Sequence, residues 1–405
     1  MKTHAHWLNP ERLSMYPRII LALFITVGLK LVWISKNIQE GQPLGYDFIT
    51  FWAASHIALT GHAQDAYTPL LFKAEQIAVP RTSQSVIVWF YPPSFYLVVL
   101  PLALLPYIAA YWAFMLSTLG AYLLVLRRIV RGNTSMWCLT AFSGLWMNLF
   151  HGQNAFLTAA LAGAALLCVE RRPLLAGLFI GLLAIKPHLA LLFPVALIAI
   201  GAWRTLITAA VTAITFTAVG TVALGGAAVL KGWFASLGYA RLILENGSLP
   251  WSKMPSMFAF ARMLGISVAG AYVVHCVIAV WAVIVVWYVW RRCQDWKLRG
   301  AALMTATFLE SPYVFDYDLA WLAFPIAWMA LAGLRNGWQP CEREVLVAAW
   351  LLPILMIPIA AAVSVQVGPL VLCSLLWITV SRATAVSMME STASDGYGDH
   401  FEIIE

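Results

Sequence analysis

The sequence predicts an all-α, polytopic membrane protein. Hydrophobic residues make up 62% of the chain and charged residues only 11%, a balance outside the range of soluble globular domains. The apolar stretches are long and continuous, whereas a transmembrane barrel would show short alternating strands. Lys and Arg gather at the ends of alternate apolar runs, the asymmetry expected of helices that weave through a bilayer.

Taken in order, crossings fall at roughly 17–36, 107–127, 135–150, 154–170, 173–185, 188–203, 205–225, 268–290, 300–311, 319–334, 344–361 and 367–382. That is about twelve, the fifth, sixth and ninth being short for a bilayer core of about 30 Å. With the N-terminus inside, the inner segments collect Arg127, Arg128, Arg171, Arg172, Arg204, Arg291, Arg292, Arg335 and Arg343, as the positive-inside rule requires. The net charge of +7 is then an inner-face signal and not a nucleic-acid one. The first apolar run follows Pro17-Arg18 and lacks a small-residue cleavage pattern, so it is expected to remain as signal anchor and first helix. Four of the six cysteines fall in spans and two on the inner side, without CxxC or Cys/His spacing, so neither a disulfide nor a zinc site is expected. Residues 1–385 read as a single transmembrane domain and 386–405 as a disordered, acidic cytoplasmic tail.

Two long segments, 37–106 and 226–267, fall on the outer side. In the first, Phe48, Phe51, Trp52, Ser55 and Leu59 recur at helical spacing and Gly61 follows as a C-cap, which predicts an interfacial helix lying on the membrane. A second short helix is expected over 70–79. Residues 92–105, opened by Pro92-Pro93, read as a juxtamembrane or re-entrant helix before the next full crossing.

Ionisable and polar clusters interrupt this apolar background at Tyr46-Asp47-Phe48, His151-Gly152-Gln153-Asn154, Lys186-Pro187-His188 and Glu310 to Asp318. A charge near bilayer depth costs several kcal/mol unless it is paired or lines a wet cavity, so such residues default to function. All four clusters land on the outer face and read as one active site. Simpler roles stand beside this reading. Asp47 can cap the helix that follows it, Lys186 can snorkel to headgroups, and His151 and Gln153 can bond between helices. Asp316-Tyr317-Asp318 matches the Asp-x-Asp that holds a metal in many nucleotide-sugar enzymes. That use needs an α/β domain this chain lacks, so a contact to sugar or phosphate is preferred.

The order of these motifs carries a resemblance. Tyr46-Asp47-Phe48, Leu59-Thr60-Gly61, Tyr67, Tyr91-Pro92-Pro93, Leu100-Pro101, Leu105-Pro106, His151-Gly152-Gln153-Asn154, Gly177 to Gly181 before Lys186-Pro187, and Ser311-Pro312-Tyr313 follow one another on one membrane face. Over roughly residues 40–330 the chain resembles glycosyltransferase family 87, the bacterial polyprenyl-phosphate-mannose-dependent α-mannosyltransferases of the GT-C class. The resemblance implies a GT-C-type fold with outer-face juxtamembrane helices between the first two spans. It also implies inverting, metal-independent transfer of a hexose, mannose, from a polyprenyl-phosphate donor to a hydroxyl of a lipid or glycan acceptor. The site would face the periplasm across a bacterial inner membrane, with both termini cytoplasmic and no cofactor.

Within that reading Asp47 matches the family's general base. Lys186, His188, Lys253 and Arg262 are candidates to bind the leaving phosphate, where cations stabilise developing charge. Tyr91, His151, Gln153, Asn154, Tyr313, Asp316 and Asp318 are candidates for sugar and acceptor contacts, and Trp89 for stacking on a sugar face. Family members often carry histidine where this chain has Phe315-Asp316-Tyr317-Asp318. The competing class is a secondary transporter or lipid-linked-sugar flippase, which buried charge and proline-broken helices would suit. Against it, the clusters gather on one face and no internal repeat is evident.

Overall fold

The computed structural model describes residues 7–37, 45–77, 88–130 and 132–398. Among the described residues there is no strand. The helices are α1 (Pro10–Asn37), α2 (Ile49–Leu59), α3 (Pro69–Ile77), α4 (Pro93–Val99), α5 (Tyr107–Ile129), α6 (Asn133–Thr140), α7 (Ser143–His151), α8 (Ala155–Cys168) and α9 (Pro173–Leu182). They continue with α10 (Leu192–Ala199), α11 (Trp203–Ala223), α12 (Ala227–Glu245), α13 (Met257–Met263), α14 (Val268–Arg292), α15 (Trp296–Glu310), α16 (Ala323–Asn336), α17 (Glu342–Val363) and α18 (Gly368–Gly398). Proline sits in the first turn of α4 and α9, where its missing N–H costs nothing, and Arg closes α5, α14 and α16 against the helix dipole.

Among the described residues, eight helical stretches are long and apolar enough to cross a membrane: 11–34, 107–129, 203–223, 227–245, 268–292, 316–336, 342–363 and 368–388. This is a multi-pass membrane protein. Leu29, Ile214, Val222 and Ile284 are all exposed along these helices, as expected where lipid tails are the solvent. Four further apolar helices, at 93–104, 155–168, 173–185 and 187–199, are shorter. Where the sequence predicts about twelve crossings, three of them short, the described residues hold eight full-length candidates.

Several expectations are corrected by tertiary contacts. The crossing predicted over 135–150 is two helices, α6 and α7, broken at Ala141-Phe142. The break is stitched to α17, since the Trp350 indole donates to the Cys138 carbonyl and the Ser143 hydroxyl donates to the Trp350 carbonyl. A helix interruption at this depth needs such partners for its freed backbone groups. The interfacial helix predicted after Asp47 is α2, but Phe48, Ile49, Phe51, Ala53 and Ala54 are wholly buried. Small residues on one side and aromatic residues on the other let neighbouring helices enclose it. The helix α18 runs to Gly398, and residues 399–405 of the expected tail lie outside the described residues.

By length and composition α12 is a candidate span, although the sequence places it in an outer segment. Near its N-terminal end Gly232 packs on Tyr67, and near its C-terminal end Leu244 accepts from Trp251, two residues from Lys253, which reaches His151. Tyr67 is itself bonded to the Tyr91 carbonyl. From Gly232 to Leu244, α12 thus stays in contact with the elements that surround Asp47.

Candidate active site

The base of the site is an approach of two chain segments that only glycine permits. Gly45, just before Tyr46-Asp47, has φ 69°, and Gly152, just before Gln153-Asn154, has φ 74°. A Cβ on Gly152 would lie 2.7 Å from the Phe48 Cβ and 2.9 Å from the Gly45 Cα, so the segments touch backbone to backbone. Tyr107 and Tyr111 of α5 lock the arrangement by donating to the carbonyls of Gly45 and Leu149 at 2.8 and 2.6 Å. This closeness brings the Gln153 amide to Asp47, Nε2 donating to Oδ2 at 3.2 Å. The other end of the amide, Oε1, accepts from the Tyr91 hydroxyl at 3.0 Å. Asp47 does not act as a helix cap, because neither the 3₁₀ turn Tyr46–Phe48 nor α2 receives a side-chain cap bond.

Lys186 arrives by a different route. Gly177 and Gly181, one turn apart, let α9 press against Thr205, Thr208, Ala209 and Thr212 of α11, the close approach typical of small residues in membrane helices. The chain leaves α9 through a 3₁₀ turn and delivers Lys186, 5% exposed, to the cavity. Its Nζ donates to Oδ1 of the wholly buried Asp318 at 2.5 Å and stands 5.1 Å from the Tyr317 ring centroid. Asp318 also accepts from the Phe315 N–H, which fixes the start of the 3₁₀ segment Asp316–Leu322.

A third group surrounds His151. Its Nδ1 lies 2.8 Å from the Met147 carbonyl, and its Nε2 lies 3.4 Å from Lys253 Nζ and 4.0 Å from Asp316 Oδ2. Lys253 is presented by a 3₁₀ turn, Trp251–Lys253, held from the α17–α18 connection by Gln366, whose amide donates to the carbonyls of Trp251 and Ser252.

These groups surround a cavity of about 850 Å³. Asp47, Tyr91, His151, Gln153, Lys186, His188, Lys253 and Tyr313 all line it, so one space collects eight of the residues expected to act. His188 packs edge-on to Tyr313 with its buried Nε2 unpartnered among the described residues. Four expected residues lie elsewhere. Asp316 and Asp318 are wholly buried behind the wall, where they face His151 and Lys186. Asn154 is buried beside the Tyr91 hydroxyl. Arg262 stands away from the cavity, donating to the Ile266 carbonyl at 2.7 Å with its guanidinium 4.8 Å from the Trp251 ring. Trp89 is no sugar platform: it is wholly buried and stacked on Phe95. Trp233, Leu237, Ile243 and Leu244 of α12 complete the wall, and sequence reasoning missed them. Their helical spacing toward one face was the available signal.

The model of glycosyltransferase family 87 matches residues 89–312, a stretch that includes Tyr91, His151, Gln153, Lys186, Lys253 and Pro312 of the cavity wall. The chain belongs to glycosyltransferase family 87. It is accordingly a glycosyltransferase, and the choice between enzyme and transporter falls to the enzyme. No curated protein and no solved structure matched the chain. Asp47 lies N-terminal to the matched region, and its place in the site comes from the fold, through Gly152 and Gln153 of the matched part.

Proposed function

We propose that this family 87 member transfers a hexose, mannose, from a polyprenyl-phosphate donor to a hydroxyl of a lipid or glycan acceptor. Transfer proceeds with inversion, without a metal, on the periplasmic face of a bacterial inner membrane. The observation that carries this reading is the cavity lined by Asp47 together with Lys186 and Lys253. Among the described residues that line it, Asp47 is the one carboxylate. A single carboxylate suits a single displacement: it takes the acceptor's proton as the oxygen attacks the anomeric carbon. The bond from that carbon to the phosphate oxygen breaks, its electron pair leaves on the phosphate, and lysine charge stabilises the departing group. The apolar α12 wall, with Phe234 and Leu242 exposed on the same helix, supports a donor carried on a lipid. Mannose rests on the family.

Purified protein given a panel of polyprenyl-phosphate sugars should consume the mannosyl donor and form a glycoside of inverted configuration, with chelator present or absent. Consumption of another sugar would replace mannose, and restoration of chelator-lost activity by a divalent ion would overturn the metal-free step.

Sidedness has its own test. Single cysteines at Gln64 and Asn246, in a cysteine-free background, should react with an impermeant maleimide in intact cells, and one at Asn336 should not. The reverse pattern would turn the site to the cytoplasm.

A further inference from the structure

Tyr91 and Gln153 read from sequence as sugar contacts, yet in the structure both are engaged with each other and with the base. The link to the base has one available polarity, and it sets the polarity of the other. The Tyr91 phenol is held protonated, its pKa raised by burial and then by the nearby Asp318 and Asp47 carboxylates, so its hydroxyl donates. The acceptor it meets is Gln153 Oε1, at 3.0 Å. The carboxylate can only accept, so the end of the amide that meets Asp47 Oδ2, at 3.2 Å, is the NH₂, and Oε1 is left to accept from the phenol. The reverse amide orientation would set a carbonyl oxygen against a carboxylate, an acceptor against an acceptor.

The supports of this chain are rigid. Gln153 is 6% exposed and follows the left-handed Gly152, whose N–H, like that of Gln153, is bonded to the Asn148 carbonyl. The Asn148 side chain accepts from the first N–H of α8 at 3.1 Å. The Tyr91 ring is packed between Phe51 and Phe95, with centroids 5.4 and 4.5 Å away. Such a series restricts carboxylate rotation before any substrate arrives.

We propose that Tyr91 and Gln153 are positioning residues for the base: Tyr91 sets the Gln153 amide, which holds Oδ2 of Asp47 and leaves Oδ1 to receive the acceptor's proton. The proposal rests on Asp47 acting as the base. It predicts that losing the amide misdirects the carboxylate without weakening the donor site. Misplacement of a reacting group by about 1 Å can cost roughly 10² in rate.

The experiment measures kcat and KM for the donor against pH, with thermal stability in detergent, for wild type, Asp47→Asn, Gln153→Leu, Gln153→Glu and Tyr91→Phe. Gln153→Leu should lower kcat by roughly 10- to 100-fold with donor KM within about a factor of two. Tyr91→Phe should lower it less, because the amide still faces Asp47 but loses the bond that anchors its Oε1. Gln153→Glu sets a second carboxylate against Asp47, so the pair resists double ionisation and one apparent pKa rises. Because the base must be unprotonated, activity should then fail at a higher pH than in wild type as pH drops, by at least about one unit.

If Asp47→Asn is as active as wild type, the base reading fails and this proposal with it. If Asp47→Asn is inactive while Gln153→Leu and Tyr91→Phe raise donor KM at unchanged kcat, the two residues are sugar contacts and the positioning role alone is overturned. An unshifted pH profile in an active Gln153→Glu has the same meaning. Should Gln153→Glu be inactive or unfolded, the kcat and KM values of Gln153→Leu and Tyr91→Phe decide.

Discussion

Asp47→Asn is expected to fold like the native protein and to lose sugar transfer by roughly 10² or more, the scale of a missing general base. The structure sharpens the reason why folding should survive. The Asp47 carboxylate caps no helix, and its bond inside the protein comes from the Gln153 amide. An asparagine carbonyl oxygen accepts that same bond, whereas the nitrogen beside it has no basic lone pair for the acceptor's proton. Thermal stability in detergent and transfer rate, measured on the same preparation, check both halves. Near-native transfer would remove Asp47 from the chemistry and direct attention to the wholly buried Asp316 and Asp318.

Lys186→Ala is expected to fail twice, in stability and in transfer. Lys186 is the partner of Asp318, which is wholly buried, and removing one member of a buried ion pair typically costs about 3–5 kcal/mol because the other is left uncompensated. A loss of activity in this variant alone would therefore say little about phosphate. The double variant Lys186→Ala/Asp318→Asn separates the roles. It removes both charges, and the introduced asparagine's carbonyl oxygen can still accept the Phe315 N–H bond now made to Asp318, so the thermal midpoint should return most of the way. Transfer should stay low if Lys186 stabilises the departing phosphate. Recovery of transfer with stability would reduce Lys186 to the counter-ion of Asp318, and Lys253 and Arg241 would be left as cations that line the site.

Much of the site was legible from chemistry in a hydrophobic background. Asp47, His151, Gln153, Lys186 and His188 stand out because charge and hydrogen-bonding groups are costly where apolar helices surround them, and all five line one cavity. The division of labour among them was not legible. Asp316 and Asp318 are as conspicuous in sequence as Asp47, but they lie behind the wall and serve His151 and Lys186. Arg262 has the right charge and the right outer segment, yet its guanidinium is taken by the Ile266 carbonyl and the Trp251 ring. Charge and order along the chain carry no information about which partner lies nearest in space.

By itself the sequence determined the solvent, the helical class and the set of polar residues that a membrane protein would retain only for use. Those follow from composition, periodicity and the free energy of burying charge, all of which are local properties. Tertiary structure decided how helices end, break and face. The break at Ala141-Phe142 is tolerated because Trp350 of a distant helix satisfies it, α2 is enclosed although its pattern suits a surface, and α12 supplies one wall of the cavity. It also decided that Gly45 and Gly152 meet, which sets Gln153 against Asp47 across more than a hundred residues of chain. A backbone contact of that kind depends on both segments at once, and neither segment's residues specify it alone.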